Sequence, residues 1–330
     1  MTNLSTLFVE VAIPSVESSA SGLYLGASIP DTPHHLARDS RGKPVVLLAA
    51  DESDIRPASL QLQNFQIEHG IRCRIAQASG STVENKFTVA RCRADDVLLQ
   101  RCFLDLFDVV LAELPIQPTQ RDVSQTLQRM ASLFLALERP PRRTAQGLWG
   151  ELLLIVRATN PIRMAESWHN EASERFDFAS GSQRLEVKTS ADRSRCHHFS
   201  YEQAYPVQGV QCVVASMFLE QSTGGRSLGD LWDEVRNIIS AQPDLRVRID
   251  EVCFSSLGNT WQQARSLAFD EQLAIASLAF FDVRDIPRLQ QEVPNGISEI
   301  RFKSDLSLAT RIQNTDRETA PLAAYLLPTT

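Results

Sequence analysis

Hydrophobic and polar residues alternate in short segments over the first 90 residues, and longer segments with helical spacing follow. The alternating segments are separated by Gly, Pro and Ser, which is typical of β-strands. Residues 95–114 and 119–137 are predicted to be helices that end at prolines. A first region, residues 1–140, is therefore predicted to be β-rich with two helices and to end at Pro140 and Pro141. Its predicted strands are residues 23–29, 45–49, 71–76 and 87–91.

The rest of the chain mixes both periodicities. Residues 141–243 follow the order helix, strand, turn, strand, strand, short helix, strand, helix. The overall prediction is a mixed α/β (α+β) protein with a core at 141–243 and an α/β extension at 244–330 that packs on the core. The elements predicted in that extension are a strand through Leu245, Val247 and Ile249, a helix at 260–269, and strands at 273–283 and 297–302.

A hairpin is predicted around Gly181 and Ser182, because Gly can adopt the positive φ that a two-residue turn requires. Pairing outward from this turn places Phe178 opposite Leu185 and Asp177 opposite Glu186. Side chains on a strand alternate between faces. One face is therefore predicted to be apolar, and the other to carry Asp177, Glu186 and Lys188.

The polar face of this hairpin favours a metal site. Carboxylates directly opposite each other destabilise a sheet, and a divalent cation between them removes the repulsion. Hard oxygen ligands suit Mg²⁺, Mn²⁺ or Ca²⁺ better than zinc. Lys188 can then hold or deprotonate a water, or neutralise a developing anion. The alternative is a solvated polar face on which Lys188 bridges Glu186 and Asp177 in a surface salt bridge.

A helix is predicted from Thr144 to Ala158, and it carries a carboxylate on its apolar stripe. Glu151 lies three residues after Leu148, within the stripe of buried residues. A buried carboxylate needs a cation, a metal or a hydrogen-bond network. The alternative is that Glu151 lies at the edge of the stripe and pairs with an arginine. Gly147 and Gly150 would let this helix approach the sheet closely.

Residues 196–203 are predicted to form a third strand and a short helix. His197 and His198 then point to opposite faces of the strand, so they do not readily ligate one ion together. His198 and the nearby Arg193 and Arg195 are candidates for contact with nucleic acid. Gln203 is a candidate polar contact near the site.

Composition adds limits to this interpretation. The chain has 33 Lys and Arg and 40 Asp and Glu, so its net charge of −7 excludes a uniformly basic DNA-coating protein but permits a locally basic cleft. Only four of the 33 basic residues are lysines, which makes Lys188 beside two carboxylates more notable. No CxxC pair, P-loop, secretory signal or membrane-spanning run is found. The chain is therefore predicted to be cytoplasmic with reduced cysteines.

Taken together, these motifs resemble the PD-(D/E)XK nuclease superfamily. More narrowly, the chain is similar to a bacterial family of PD-(D/E)XK motif proteins of unknown function. Two departures are that Phe176, not Pro, precedes Asp177, and that Val207 replaces the Tyr of a QxxxY element after Gln203. The segments that carry the resemblance are GLWGELL at 147–153, RFDF at 175–178, LEVKTS at 185–190 and HFS at 198–200.

The resemblance implies a restriction-endonuclease-like αβββαβ core with a central mixed sheet. It implies Mg²⁺ (or Mn²⁺) held by Asp177, Glu186 and the Val187 carbonyl, with Lys188 assisting the attacking water. Glu151 is implied to support the site and is a further candidate metal ligand. The implied activity is hydrolysis of DNA phosphodiester bonds in a restriction or phage-defence setting. The resemblance leaves open whether the chain has an ATPase or methyltransferase partner and whether it forms a homodimer.

Two other functions stay open on the same residues. One is a catalytically silent DNA-binding or scaffold subunit of a defence complex, against which the intact Asp177, Glu186 and Lys188 argue. The other is a protein-interaction module whose hairpin charges are incidental.

Overall fold

A computed structural model describes residues 3–14, 23–51, 57–77, 80–168, 175–290, 294 and 296–313. The chain divides into two compact units, Met1–Pro140 and Pro141–Thr330. Within the described ranges, no helix is both long enough and apolar enough to cross a membrane.

The first unit contains a small closed barrel. Five strands pair in the order β1-β2-β3-β6-β5, and β1 pairs in parallel with β5 to close the ring. Inward-facing residues such as Val45, Leu47 and Ile75 fill the barrel. The strands are β1 (Leu23–Ser28), β2 (His35–Arg38), β3 (Pro44–Leu48), β4 (Leu60–Gln61), β5 (Phe65–Ala76) and β6 (Thr82–Cys92).

Three helices accompany the barrel in the described part of this unit: α1 (Leu4–Glu10), α2 (Val97–Glu113) and α3 (Gln120–Ala136). Asp96 caps α2, and Thr119 caps α3 through a capping box with Asp122. The two helices predicted after the strands are therefore confirmed, because local cap residues determine where they begin.

The second unit is built on a mixed four-stranded sheet in the order β13-β10-β8-β7. In this sheet β8 and β10 are parallel, and the two outer pairs are antiparallel. Its strands are β7 (Phe178–Ser180), β8 (Gln183–Ser190), β9 (Cys196–Ser200), β10 (Gln211–Phe218), β11 (Gln221–Ser227), β12 (Ala268–Phe269), β13 (Ala279–Asp282) and β14 (Arg301–Asp305). Its helices are α4 (Ala145–Arg157), α5 (Pro161–Ser167), α6 (Tyr201–Ala204), α7 (Leu228–Ile238), α8 (Pro243–Leu257), α9 (Trp261–Arg265) and α10 (Glu271–Ser277).

Helix α4 lies very close to β8. A Cβ atom added at Gly150 would meet Thr189 Cγ2 at 2.6 Å, so this glycine permits the close approach that the sequence predicts. Gly147 has no such role, because its nearest neighbour is the hydroxyl of the capping residue Thr144 at 3.3 Å.

The third strand, β9, is present but pairs differently from a simple three-stranded meander. It pairs with β14 in a separate two-stranded ribbon, the β9–β14 ribbon, and not with β8. The chain order is helix α4, helix α5, three strands, short helix and strand, so α5 is an addition to the expected αβββαβ order. The hydrogen-bonded sheet differs from the expected core, because it contains β13 and does not contain β9.

Several predictions for the extension are wrong in detail. The strand predicted at Leu245–Ile249 is part of helix α8, which is buried on several sides, so that its apolar positions imitate a strand pattern. The helix predicted at 260–269 ends at Arg265, and β12 follows. Asp270 caps helix α10, which occupies the first part of the strand predicted over 273–283. Only β13 is extended in that range. The strand predicted at 297–302 is shifted to β14.

Candidate active site

The β7–β8 hairpin has the predicted register. Ser180 pairs with Gln183 and Phe178 with Leu185, and Gly181 has the positive φ of 54° that the turn requires. Asp177 immediately precedes β7. Its Oδ2 accepts a hydrogen bond of 2.8 Å from the backbone N–H of Val187, which fixes the carboxylate against β8.

Glu186 and Lys188 lie on the same face of β8. Lys188 Nζ donates to Glu186 Oε1 at 2.6 Å and lies 5.0 Å from the ring centre of Phe199. The other carboxylate oxygen, Glu186 Oε2, is buried and has no hydrogen-bond partner among the described residues. A buried anionic oxygen without a donor is costly, so this atom is suited to receive a cation.

Glu151 is buried, as predicted from its place in the apolar stripe of α4, and it is only 4% exposed. Thr144 caps the helix by accepting from the N–H of Gly147. Glu151 Oε2 accepts from the indole N–H of Trp168 at 2.8 Å, and Oε1 accepts from Arg143 at 3.0 Å. The arginine partner considered in the alternative interpretation is therefore present, although Glu151 does not lie at an edge.

Arg143 joins the helix to the hairpin, and the sequence analysis did not identify it. Its Nη1 atom donates to Glu151 Oε1 and to Asp177 Oδ1, both at 3.0 Å. Its backbone N–H and that of Arg142 bond to the carbonyl of Ser256, which anchors the segment before α4. The sequence signal for Arg143 was its position directly before the helix cap, Thr144. No local sequence pattern pairs Arg143 with Asp177.

Burial and neighbouring carboxylates raise the pKa of both Asp177 and Glu186. Burial raises the pKa of Asp177 well above its usual range, and the charges of Glu151 and Glu186 raise it further, against Arg143 and the Val187 N–H. Burial also raises the pKa of Glu186, while Lys188 opposes that shift. A divalent cation would offset both the burial and the mutual repulsion.

The donor atoms fit a hard divalent cation. Asp177, Glu186 and the neighbouring Val187 provide oxygen atoms, which Mg²⁺ and Mn²⁺ prefer, and the Glu186 Oε2 atom lacks a donor. Across the described ranges, no three His, Cys, Asp or Glu side chains are already arranged around an ion position. The guanidinium of Arg143 instead lies between Glu151 and Asp177.

These groups line one cavity of about 700 Å³. It brings together the predicted residues Glu151, Asp177, Glu186, Val187 and Lys188, and His198 and Gln203 also line it. The cavity also contains charged residues that the sequence analysis missed. They are Arg143, Arg175, Glu202, Glu299 and Arg301.

His198 and Gln203 differ in what they do at the cavity. His198 is exposed, whereas the adjacent His197 is buried against Ser216 Oγ at 2.8 Å, which confirms that the two histidines face opposite ways. Gln203 Oε1 accepts from the N–H of Ser200, and its Nε2 donates to the Arg175 carbonyl at 2.8 Å. Gln203 therefore holds the segment that contains Arg175.

The prediction that Arg195 contacts nucleic acid is wrong. Arg195 is 6% exposed, and its guanidinium donates to the carbonyl and hydroxyl of Ser216. Arg193 is exposed, but its Nε donates to Glu220 at 2.6 Å and it does not line the cavity. Both arginines are therefore engaged by other groups of the protein, Ser216 and Glu220, which strand periodicity alone does not predict.

One comparison with known proteins gives a match. A family model described as "Putative PD-(D/E)XK family member, (DUF4420)" matches residues 23–307. Neither the curated proteins nor the solved structures give a match.

Proposed function

The chain belongs to the PD-(D/E)XK family DUF4420, and on that premise we propose that it is a metal-dependent endonuclease that hydrolyses DNA phosphodiester bonds. The observation that carries the proposal is the convergence of Glu151, Asp177, Glu186 and Lys188 on one cavity, with one buried carboxylate oxygen left without a donor. Residues 141–243 are assigned as the nuclease-like core, and residues 244–330 as its extension.

Asp177, Glu186 and the Val187 carbonyl would hold Mg²⁺ or Mn²⁺, which supplies Lewis-acid stabilisation of the phosphate and lowers the pKa of a bound water. Lys188 orients the attacking water and stabilises the negative charge that develops on the phosphate. The Val187 N–H keeps Asp177 in one orientation. Glu151 supports the site through Arg143, and Trp168 fixes its carboxylate.

Plasmid nicking in Mg²⁺ or Mn²⁺ tests this function. Changes to groups that only orient metal ligands cost about 10- to 100-fold, so Asp177→Ala, Glu186→Ala and Lys188→Ala should each lose at least about 100-fold in rate. Glu166→Ala, which removes an exposed carboxylate on α5, is the matched control and should nick at the wild-type rate. Equal nicking by the wild type and the three site variants would contradict the proposal.

A second function is a catalytically silent DNA-binding or scaffold subunit of a defence complex. It is favoured by the cations already present in the cavity, because Arg143 pairs with two carboxylates and Lys188 with the third. A wild-type protein that binds DNA and does not nick it with either metal would favour this alternative.

The restriction or phage-defence setting belongs to the same proposal, together with an ATPase or methyltransferase partner. Phage plating on cells that express the wild-type chain should fall, and cells that express Glu186→Ala should plate like cells without the protein. Equal plating on all three would argue against a defence role for the chain by itself.

A further inference from the structure

The β9–β14 ribbon has one face that is basic and exposed. In its antiparallel register, His198 is opposite Lys303 and Ser200 is opposite Arg301. Because side chains alternate along a strand, these four residues share one face. His198, Arg301 and Lys303 are all exposed, whereas residues of the other face, such as Phe199, are buried.

We propose that this face binds the phosphate backbone of DNA and guides it into the cavity that contains Glu186 and Lys188. The proposal rests on the proposed nuclease function and extends it by naming the surface that holds the substrate. His198, Ser200 and Arg301 line the same cavity as the carboxylates, so the basic face begins at the catalytic groups. Lys303, two residues after Arg301, continues it.

Within the ribbon, the face that carries Arg301 and Lys303 also contains one carboxylate, that of Asp305, so the two cations outnumber it. Arg301 and Lys303 lie two residues apart on the same face of β14, so their positive charges repel each other unless an anion lies near them. In the described ranges, the side chains of His198, Arg301 and Lys303 form no hydrogen bond or ion pair. This is the arrangement expected of a surface that receives a polyanion.

Several other arginines of the second unit differ, because each of them pairs with a carboxylate within the unit. Their charges are used inside the protein, whereas those of Arg301 and Lys303 remain available at the surface. The paired arginines are Arg157 with Glu271, Arg226 with Glu234, Arg236 with Asp250, Arg265 with Asp233, and Arg284 with Asp282.

Two acidic residues near the ribbon limit how far the basic surface extends around the cavity. Glu202 and Glu299 also line the cavity, so its rim is not uniformly basic, and the positive charge proposed to hold DNA comes from Arg301 and Lys303. Residues on one face of a strand are about 7 Å apart, which gives two separated cationic contacts along β14. Arg301 and Lys303 are therefore expected to neutralise two phosphates.

The test is the salt dependence of duplex DNA binding, measured by fluorescence anisotropy of a labelled oligonucleotide in EDTA, so that no cleavage occurs. Each lost phosphate contact lowers the magnitude of the slope of log K against log salt by about 0.9. Arg301→Ala combined with Lys303→Ala should therefore reduce the slope by about 2 and weaken binding at least about tenfold at 100 mM NaCl.

Two control variants test whether the position of the removed charges matters, and not only their number. Arg163→Ala with Arg284→Ala removes the same number of exposed arginine or lysine charges from surfaces outside the cavity, and it should leave the slope unchanged. Arg301→Lys with Lys303→Arg should also bind like the wild type, which shows that loss in the alanine variant does not come from misfolding. An unchanged slope in the alanine variant, or an equal loss in the control pair, would overturn the proposal.

The outcome is distinguishable from failure of the nuclease function. Glu186→Ala should bind with the wild-type slope while losing nicking, because the ribbon is intact. A wild-type protein that does not nick but has a ribbon-dependent slope would overturn the nuclease activity and support the binding surface. Normal nicking with a ribbon-independent slope would overturn the surface alone.

Discussion

Two clusters of buried charge lie in the second unit, and they are compensated differently. Asp250 accepts from the indole of Trp232 at 2.8 Å and pairs with Arg236, and both charged residues are almost fully buried. Glu151 likewise accepts from an indole, that of Trp168, and from an arginine, Arg143.

The two clusters differ in their number of carboxylates and in their access to solvent. Asp250 pairs with Arg236, whereas Glu151 shares Arg143 with Asp177 and lies in a cavity that also contains Glu186. Only the second cluster has a carboxylate oxygen without a donor among the described residues. A buried ion pair by itself is therefore typical of a structural role, whereas an accessible excess of charge of one sign is typical of a binding site.

The largest expected effect is on protein stability, which should respond differently to the same substitution in the two clusters. Asp250→Asn should lower the free energy of unfolding by about 3–5 kcal/mol, because it breaks the buried ion pair with Arg236 by removing one partner. The same substitution at Asp177 in metal-free buffer should leave stability unchanged or raise it, because that carboxylate lies beside two others. Urea denaturation of both variants checks this, and an equal loss in both would remove the distinction.

Arg143 provides the next test, because it occupies the position between two carboxylates. Arg143→Ala should lower the free energy of unfolding by about 1–3 kcal/mol in EDTA, less than for a fully buried pair because its side chain is 37% exposed. Mn²⁺ should restore much of that loss by replacing the missing charge.

The control for Arg143 is Arg157→Ala, which breaks a more exposed pair with Glu271. That variant should lose less than about 1 kcal/mol, with or without Mn²⁺. Thermal melts in EDTA and in Mn²⁺ measure both variants. A deficit in Arg143→Ala that is the same in both buffers would contradict the role of Arg143 as a stand-in for a cation.

A smaller effect concerns pH. Because the folded-state pKa of Asp177 is raised above its ordinary value of 3.8, the folded protein binds more protons than the unfolded chain above that pH. Its contribution to stability is present at low pH and is lost as pH rises through the raised pKa. The stability of Asp177→Asn relative to the wild type should therefore increase from pH 4 to pH 7 without metal, as urea denaturation at each pH would show. A constant difference would contradict the raised pKa.

The parts of the site that are local in sequence could be predicted. The turn at Gly181 and period-two alternation determine the register that brings Asp177 to Glu186, and helical spacing places Glu151 inward. Arg143 and Arg301 could not be predicted, because they reach the cavity through long-range packing. Arg195 was misjudged because the aromatic residues that cover it come from later strands.

The fold was predictable to a similar extent. Caps and turns determined α2, α3, α4 and the β7–β8 hairpin. The pairing of β9 with β14 joins segments about a hundred residues apart, and no local pattern specifies that partner. Helix α8 was missed because burial on several sides removes the one-sided apolar stripe that identifies a helix.

Direct binding of Mn²⁺ tests the central claim, that the carboxylate cluster is a metal-dependent catalytic site. Isothermal titration calorimetry should detect binding to the wild type, and Asp177→Asn and Glu186→Gln should each weaken it by at least about 100-fold, since they change proposed ligands directly. Asp233→Asn, an exposed carboxylate paired with Arg265, should bind like the wild type. Absence of Mn²⁺ binding by the wild type, or equal binding by all four proteins, would contradict the account.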